Sequence, residues 1–203
     1  MDQTGGGCYG NRVAELLNRF GRIVRQLEFD AGLNPAQWEA LRFLSRANRI
    51  SRTPGALAQF LNTTRGTASQ TLIALAAKGY VHKVPCPTDR RVTFLDLTPK
   101  GRGQLESDPL KRINELTASL RGGLEPALVE GLNRLLGRLN AEEGCKQFGV
   151  CTTCCHLEQH VDRAAAAPHR CGLTGEPLCQ TDTGAICVNH KTPAVAEAAA
   201  DRA

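Results

Sequence analysis

The sequence predicts a mainly α-helical protein with one small β-hairpin, followed by a short cysteine-rich module. Aromatic residues make up only 4% of the chain, and much of the apolar content is leucine and alanine, which favours helices. The hydrophobic period is helical through most of residues 10–143 and changes to two only after Gly79. Seven of the nine cysteines lie within residues 144–191, which indicates a second module. The alanine-rich residues 192–203 are expected to form a flexible tail.

Two helices are predicted at the start of the chain. Residues 11–30 place apolar side chains at helical spacing, and residues 35–45 do the same with Trp38 on the apolar face. Asn34 before Pro35 is a typical helix start, because an N-cap side chain is followed by a proline at the first helical position.

A helix-turn-helix followed by a hairpin is predicted over residues 53–99. Thr53 before Pro54 begins a short helix, and Thr63 or Thr64 can cap the next one, at residues 65–78. Strands are expected at 80–84 and 92–97, with the hairpin tip at 85–91. Two short helices and a β-hairpin in this order predict a winged helix-turn-helix, in which one helix enters the major groove of DNA and the hairpin contacts the backbone or the minor groove.

Charge and hydropathy agree with that prediction. Residues 1–144 hold 20 of the 25 Lys/Arg and 14 of the 20 Asp/Glu, a net charge of +6, as expected of a part that meets a polyanion. The start of the chain has no apolar signal-peptide region, and no apolar run reaches the length of a membrane span. We therefore expect a cytoplasmic protein with no membrane contact, whose cysteines are reduced unless they bind a metal or act in redox chemistry.

The candidate DNA-binding side chains lie at the start of the second helix and on the hairpin. The exposed face of helix 65–78 is expected to present Arg65, Thr67, Ser69 and Gln70, and Lys83 lies on the first strand. The alternative is an ordinary polar helix face with no ligand.

The run 53–101 resembles the MarR family, through Asp-Arg-Arg at the hairpin tip (Asp89–Arg91) and Leu-Thr-Pro-Lys-Gly after it (Leu97–Gly101). With the flanking helices the resemblance covers roughly residues 10–140. It implies a transcriptional regulator rather than an enzyme. It also implies that a wing arginine enters the minor groove, with Arg91 as first choice and Arg90 as the alternative, and that Asp89 orients its neighbour through an ion pair. The competing interpretation of this tip is a solvated turn with a weak surface salt bridge.

The resemblance further implies a homodimer that binds a palindromic operator in double-stranded DNA. The leucine-rich stretches 11–30 and 110–140 supply the apolar surface that such an interface needs, and packing within one chain is the alternative. MarR-like proteins often bind small aromatic effectors, but nothing in this sequence defines a pocket for one.

The cysteine module predicts a metal centre. Cys151-Thr-Thr-Cys154 has the spacing of a metal-binding knuckle, and Cys171 with Cys187 completes the four-thiolate set that we expect. A short segment with few apolar residues gains its stability from a metal more readily than from hydrophobic burial. Other cysteines and histidines of the segment are possible substitutes: Cys145, Cys155, Cys179, His156, His160, His169 and His190.

The nature of the centre and its role stay open at the level of sequence. Zinc would make it a structural or partner-binding knuckle, while an iron–sulfur cluster would make it a redox or iron sensor, and the two interpretations are nearly balanced. Free thiols that form disulfides on oxidation are a third possibility. The leading function is a DNA-binding regulator whose cysteine centre senses redox or metal state or stabilises the fold. The alternatives are a thiol–disulfide redox protein using Cys151 and Cys154, and a constitutive DNA-binding protein with a zinc interaction knuckle.

Overall fold

The computed structural model describes residues 6–85, 93–146, 148–162 and 165–193, with side chains described from residue 12 onward. The helices are α1 (Gly6–Asp30), α2 (Pro35–Arg46), α3 (Pro54–Phe60), α4 (Arg65–Ala77), α5 (Pro99–Glu106), α6 (Leu110–Ala118), α7 (Leu124–Glu142) and α8 (Gln180–Thr183). The strands are β1 (Val81–Pro85), β2 (Thr93–Leu97), β3 (Gly149–Val150), β4 (Leu157–Glu158), β5 (His169–Cys171), β6 (Pro177–Leu178) and β7 (Ile186–Cys187). Two 3₁₀ turns lie at Arg49–Ser51 and Cys151–Thr153. The mainly helical fold class is confirmed.

Helix α2 lies at the centre of the hydrophobic core. Asn34 and Gln37 form a capping box at its start, which satisfies two backbone N–H groups that the helix leaves free. Its apolar face is fully buried, and Trp38 Nε1 also donates a hydrogen bond to the carbonyl oxygen of Glu28 at 3.0 Å. The residues buried with it come from α3, α4 and both hairpin strands, and include Leu57, Leu72, Leu75, Leu95 and Leu97.

Helices α3 and α4 form the predicted helix-turn-helix. Thr53 caps α3, and Thr64, not Thr63, caps α4 by accepting the N–H of Thr67 at 3.1 Å. The turn between the helices places Asn62 at a φ of 47°, a left-handed conformation that asparagine tolerates. The helical spacing of Ala68, Leu72, Leu75 and Ala76 predicts that all four face the core. This is wrong for Ala76, which is exposed because it lies one position beyond the stripe that buries the other three.

Strands β1 and β2 pair antiparallel and begin and end within a residue of the predicted positions. Val81 pairs with Leu97, and both side chains are buried. The connector before α3 joins this hairpin, because Leu95 N–H donates to the carbonyl oxygen of Arg52 at 2.7 Å. The hairpin tip, which includes Asp89, Arg90 and Arg91, lies outside the described residues.

The Leu-Thr-Pro-Lys-Gly run owes its form to a close crossing of backbone segments. Thr98 caps α5 by accepting the N–H of Gly101 at 3.0 Å. Lys100 Nζ donates to the carbonyl oxygen of Lys78 at 2.7 Å, which satisfies a carbonyl at the end of α4. At Gly101 a Cβ would lie only 2.1 Å from the carbonyl oxygen of Tyr80, so there is no room for a side chain.

A partly buried ionic cluster ties α1, α2 and the start of α6 together. Arg42 Nε and Nη2 donate to the two carboxylate oxygens of Asp108 at 2.9 and 2.6 Å. Its Nη1 donates to Glu28 at 2.5 Å and to Glu39 at 2.8 Å. Burial alone would lower the pKa of Arg42, but the hydrogen bonds that it donates to Asp108, Glu28 and Glu39 outweigh burial and raise the pKa. The guanidinium is therefore charged, and it holds three carboxylates at the junction of the helices.

Asp108 makes the stability of this junction dependent on pH. Burial acts to raise the pKa of Asp108, yet the hydrogen bonds from Arg42 and from the Leu110 N–H lower it overall. A carboxyl whose pKa is lowered on folding stabilises the protein above its unfolded pKa of about 3.9, and that stabilisation is lost as the pH falls through the folded value.

We therefore expect Asp108→Asn to lower the free energy of unfolding by about 2–3 kcal/mol at pH 7, because it leaves Arg42 with one charged partner fewer. The asparagine oxygen can still accept the Leu110 N–H, so the cap of α6 is kept. Urea unfolding of wild type and variant across pH should show a difference that is constant above pH ~5 and disappears in acid. A difference that persists unchanged at low pH would contradict this assignment.

The cysteine-rich segment forms small sheets that pack against the winged helix. Strand β3 pairs with β7, and β4, β5 and β6 form a second sheet. Ile186 and the half-buried Phe148 belong to the same hydrophobic core as α2, and the ring of Phe148 lies edge-on to Phe43 and Phe60, with centroids 6.2 and 5.3 Å away. The division into residues 10–143, 144–191 and a tail at 192–203 stays a prediction, and of the tail only Thr192 and Pro193 are described.

Candidate DNA-binding face and cysteine centre

The N-terminal half of α4 presents an exposed polar surface. Arg65, Thr67, Ser69 and Gln70 are all exposed, while Ala68 between them is fully buried and holds the helix on the core. The hydroxyl of Thr67 lies 2.9 Å from that of Thr64, so part of its hydrogen-bonding capacity is used at the helix cap. A positively charged side chain and small polar groups at the start of an exposed helix are the groups that read base edges in the major groove.

The hairpin adds a cation beside this helix. Lys83 is exposed on β1, as predicted. The roles of Asp89, Arg90 and Arg91 stay predictions, because these residues lie outside the described part of the chain.

Exposed apolar side chains cover one side of α1 and much of α6 and α7. Among the described residues no other element buries them, and their exposed fractions range from 36% to 58%. They include Val13, Leu16, Leu17, Phe20, Ile23, Leu116, Leu120, Leu124, Leu128, Leu135, Leu136 and Leu139. Apolar patches of this extent mark interaction surfaces.

An open cavity of about 330 Å³ lies between the helix-turn-helix and the end of α7. Its lining includes Gln59, Asn62, Glu143 and Lys146. Such polar and charged walls do not resemble the apolar pockets that aromatic ligands occupy, so a small-molecule effector remains without support.

The four cysteines of the predicted set line one small cavity. Cys151, Cys154, Cys171 and Cys187 surround a space of about 10 Å³, together with His156. Cys151 begins a 3₁₀ turn that brings Cys154 beside it, Cys171 lies on β5 and Cys187 on β7. Three of the four are buried, with exposed fractions of 4–8%, and Cys154 is half-buried. The sheet of β3 and β7 and the sheet of β4, β5 and β6 bring these cysteines together, although they are distant in the chain.

Hydrogen bonds at this cavity favour a thiolate at Cys187. A hydrogen bond from the Cys151 thiol lowers the pKa of Cys187 to about 5 against the effect of burial, and the Asn48 side chain, the Asn189 N–H and Ser51 add to it. The same bond, together with burial, raises the pKa of Cys151. Backbone N–H groups of Asn189 and Lys191 lie 3.4 and 3.5 Å from the sulfurs of Cys187 and Cys154.

The remaining candidate ligands lie apart from this cavity. Cys155 is exposed, Cys145 accepts a hydrogen bond from Asn62, and the Cys179 thiol donates to Asp182. His160 and His169 stack on each other, with ring centroids 5.0 Å apart, and His190 contacts Thr153. Only His156 among the possible substitutes shares the cavity lining with the four cysteines.

The four cysteines are the residue types that a four-thiolate centre requires, but their present arrangement does not form a metal site. Among the described residues, no three His, Cys, Asp or Glu side chains are arranged so that they could hold a metal ion as they stand.

The fold and the exposed helix α4 define a winged helix-turn-helix protein of the kind that binds DNA. The sequence pattern described as MarR family matches residues 31–92, which span α2, α3, α4 and the first hairpin strand. The helix-turn-helix domain of this chain is therefore similar to that of the MarR family of transcriptional regulators.

Individual proteins are similar to this chain in sequence and fold. An uncharacterised helix-turn-helix transcriptional regulator of Bacillus subtilis (strain 168), YdgJ, is 27% identical over 134 residues, which cover 63% of this chain and 80% of the relative. The structure of the transcriptional regulator BldR from Sulfolobus solfataricus is 25% identical, covers 68% of this chain and 99% of its own, and superposes with a TM-score of 0.51. FabT of Streptococcus pneumoniae, solved in complex with DNA, is 24% identical over 66% of this chain and 98% of its own, with a TM-score of 0.54.

Sequence reasoning missed two residues at the cysteine centre, Asn48 and Ser51. Both lie in the connector between α2 and α3, far along the chain from Cys187, and both contribute to the low pKa of that thiol. The sequence of residues 46–52 predicts a polar connector, and no local pattern indicates a contact over such a distance.

Among the described residues, none of the helices has the length and apolar character to cross a bilayer.

Proposed function

We propose that the protein is a dimeric, sequence-specific transcriptional regulator that binds a palindromic operator through α4 and the hairpin wing. The observation that carries the proposal is the exposed polar start of α4 in a MarR-type helix-turn-helix, with Arg65 as its single cation. FabT, which shares the fold, was solved with DNA. A net positive charge on residues 1–144 supports attraction to the phosphate backbone.

Dimerisation is supported by the apolar side chains that α1, α6 and α7 leave exposed in the single chain. A two-fold axis would pair two copies of this surface and set two α4 helices at a fixed spacing on neighbouring turns of the duplex. Burial of these side chains contributes about 25 cal/mol per Å² of apolar area removed from water. The cytoplasmic location of the protein stays a prediction.

The second part of the proposal is a metal centre held by Cys151, Cys154, Cys171 and Cys187. Their shared cavity, their burial and the backbone N–H groups directed at two of the sulfurs support it. Zinc and an iron–sulfur cluster both accept four thiolates, and either would give the regulator a response to metal or redox state. A thioredoxin-like role for Cys151 and Cys154 is less favoured, because strand β4 follows this turn where such a site needs a helix.

Anaerobic purification followed by metal analysis tests the centre. A brown protein with iron and sulfide in stoichiometric amounts would identify a cluster, and a colourless protein with one zinc per chain would identify a knuckle. Protein that retains neither metal and binds none on reconstitution would overturn this part of the proposal while leaving the DNA-binding part intact.

Arg65→Ala should weaken DNA binding by roughly tenfold at matched salt, because an arginine at the start of a recognition helix contributes about 1–3 kcal/mol to a base or phosphate contact. If the contact is to phosphate, the slope of log affinity against log salt should also decrease by about one. The measurement is fluorescence anisotropy with a labelled operator duplex obtained by selection from a random pool.

Arg170→Ala is the matched control for charge. Arg170 lies in the cysteine-rich segment, is exposed, and pairs with Glu158 at 2.7 Å. Its loss removes one positive charge without touching α4, so its affinity for DNA should stay within about twofold of wild type. Equal affinities for the two variants would refute α4 as the reading helix.

A further inference from the structure

A buried asparagine stands between the cysteine centre and the DNA-binding domain. Asn48 lies in the connector between α2 and α3 and is only 4% exposed. Its Oδ1 accepts the N–H of Ser51 at 3.0 Å and so caps the 3₁₀ turn Arg49–Ser51. Its Nδ2 is buried and has no hydrogen-bond partner of normal geometry among the described residues. A buried amide donor without a partner costs roughly 1–3 kcal/mol, so its presence at this position needs an explanation.

Strand β7, which carries Cys187, lies beside this donor. Asn48 N–H donates to the carbonyl oxygen of Ile186 at 2.9 Å, and Val188 N–H donates to Ser51 Oγ at 2.8 Å. Both chain neighbours of Cys187 are therefore bound to the segment that holds Asn48. A thiol is a weak acceptor, whereas a metal-bound thiolate is a strong one.

We propose that Asn48 donates an N–H···S hydrogen bond to the metal-bound sulfur of Cys187, and that the segment 47–53 transmits the loading of the centre to the DNA-binding elements. This inference rests on the cysteine centre proposed above and adds the route of regulation. Asn48 is a positioning residue, since it acts on the metal through its ligand. Hydrogen bonds to ligating atoms orient them and tune the metal.

The segment is well placed to carry such a signal. Arg52 Nε donates to the carbonyl oxygen of Ala47 at 2.9 Å, and the Arg52 carbonyl accepts the Leu95 N–H of the wing strand. The next residue, Thr53, caps helix α3. One short stretch therefore joins strand β7, the start of the helix-turn-helix and the hairpin. When the metal binds, the hydrogen bond to Cys187 holds Asn48 in one position, and α3 and the wing are held with it. The metal-bound protein therefore binds DNA more tightly.

The test uses the full chain with zinc ion as the probe. Asn48→Asp keeps the side-chain length and the Oδ1 acceptor for Ser51 but replaces the N–H donor with an oxygen. Its zinc affinity, measured by chelator competition, should fall by about 10–100-fold. In wild type, zinc should raise the affinity for the operator duplex by roughly fivefold or more, and in the variant, at saturating zinc, this ratio should fall towards one.

Asn34→Asp is the matched control. Asn34 caps α2 with the same geometry, accepting the Gln37 N–H at 2.9 Å, and lies away from the cysteines. It should change neither measurement by more than about twofold. Asn48→Ser, which keeps a capping oxygen without adding charge, should behave like Asn48→Asp and so separates the lost donor from the added charge.

The possible results distinguish this inference from the proposed function on which it rests. Wild type that binds zinc and DNA, with Asn48→Asp and Asn48→Ser indistinguishable from Asn34→Asp, would overturn the role of Asn48 and leave the proposed function standing. Zinc binding that leaves the DNA affinity of wild type unchanged would overturn the transmission through segment 47–53. Wild type that binds no zinc and retains no cluster would remove the centre itself, and the inference with it.

Discussion

Cys151→Ser should lower the zinc affinity of the protein at least a hundredfold and should leave protein purified without added metal essentially metal-free. Cys151 belongs to the proposed centre, because it is buried and lines the same cavity as the other three cysteines. A serine hydroxyl is a poor ligand for zinc or iron where a thiolate is preferred. The loss should exceed the 10–100-fold that substitutions outside the ligand set cost.

Cys155→Ser provides the control within the same segment. Cys155 follows Cys154 directly in the chain but is exposed and does not line the cavity. It should retain full metal content. A second consequence follows from the packing of the segment on the core, since metal that binds only the folded form stabilises it by mass action. The melting temperature of wild type should therefore rise with zinc, and that of Cys151→Ser should not. Equal metal contents in the two variants would exclude Cys151 as a ligand.

The elements of the winged helix could be predicted from sequence because their signals are local. Asn34 before Pro35, Thr53 before Pro54 and Thr98 before Pro99 each place a capping oxygen and a proline where a helix begins, and all three helices begin there. The change of period after Gly79 located the hairpin within a residue. Such signals depend on a few neighbouring residues, so a single sequence contains them in full.

The packing of the cysteine-rich segment could not be predicted in the same way. Its strands are two or three residues long, too short for any period to be visible. Phe148 and Ile186 complete the core of the winged helix, and Arg49 pairs with Glu176 across the same junction. These contacts join residues about 90 or more positions apart, and no local pattern in a single sequence indicates such contacts. The four predicted cysteines line one cavity, and the Cys-x-x-Cys spacing and the turn residues around Cys171 and Cys187 that suggested them are local features. Their role as metal ligands stays a prediction.

The shared core changes how regulation is best understood. Coupling through the long helices that end near Glu143 is the interpretation that the sequence suggests, since those helices set the spacing of a dimer. The structure offers a shorter route, because β7 lies directly against residues 47–51 and these residues precede helix α3. On the route that we propose, a change at Cys187 would reach the DNA-binding elements within one chain, without passing through a dimer interface.

Gly101→Ala should destabilise the protein by at least about 3 kcal/mol and lower its melting temperature by roughly 6–12 °C. An added Cβ would lie 2.1 Å from the carbonyl oxygen of Tyr80 and 3.0 Å from its carbonyl carbon. Both neighbours are backbone atoms, and the Tyr80 oxygen also accepts the N–H of Thr98, so neither can move without separating α5 from the end of α4. The change is therefore an overpacking at a point where no side chain can adjust.

Gly103→Ala separates this clash from the effect of alanine on the helix. Gly103 lies two residues further along α5, and no atom lies within 4 Å of the position that its Cβ would occupy. Alanine there restricts only the unfolded chain and favours the helix, so a gain of about 0.5–1 kcal/mol is expected. Urea unfolding of both variants should thus give changes of opposite sign from the same substitution in the same helix. If Gly101→Ala proved as harmless as Gly103→Ala, the crossing of Tyr80 over α5 would have to be wrong, and with it the account of why a glycine follows the lysine in this run.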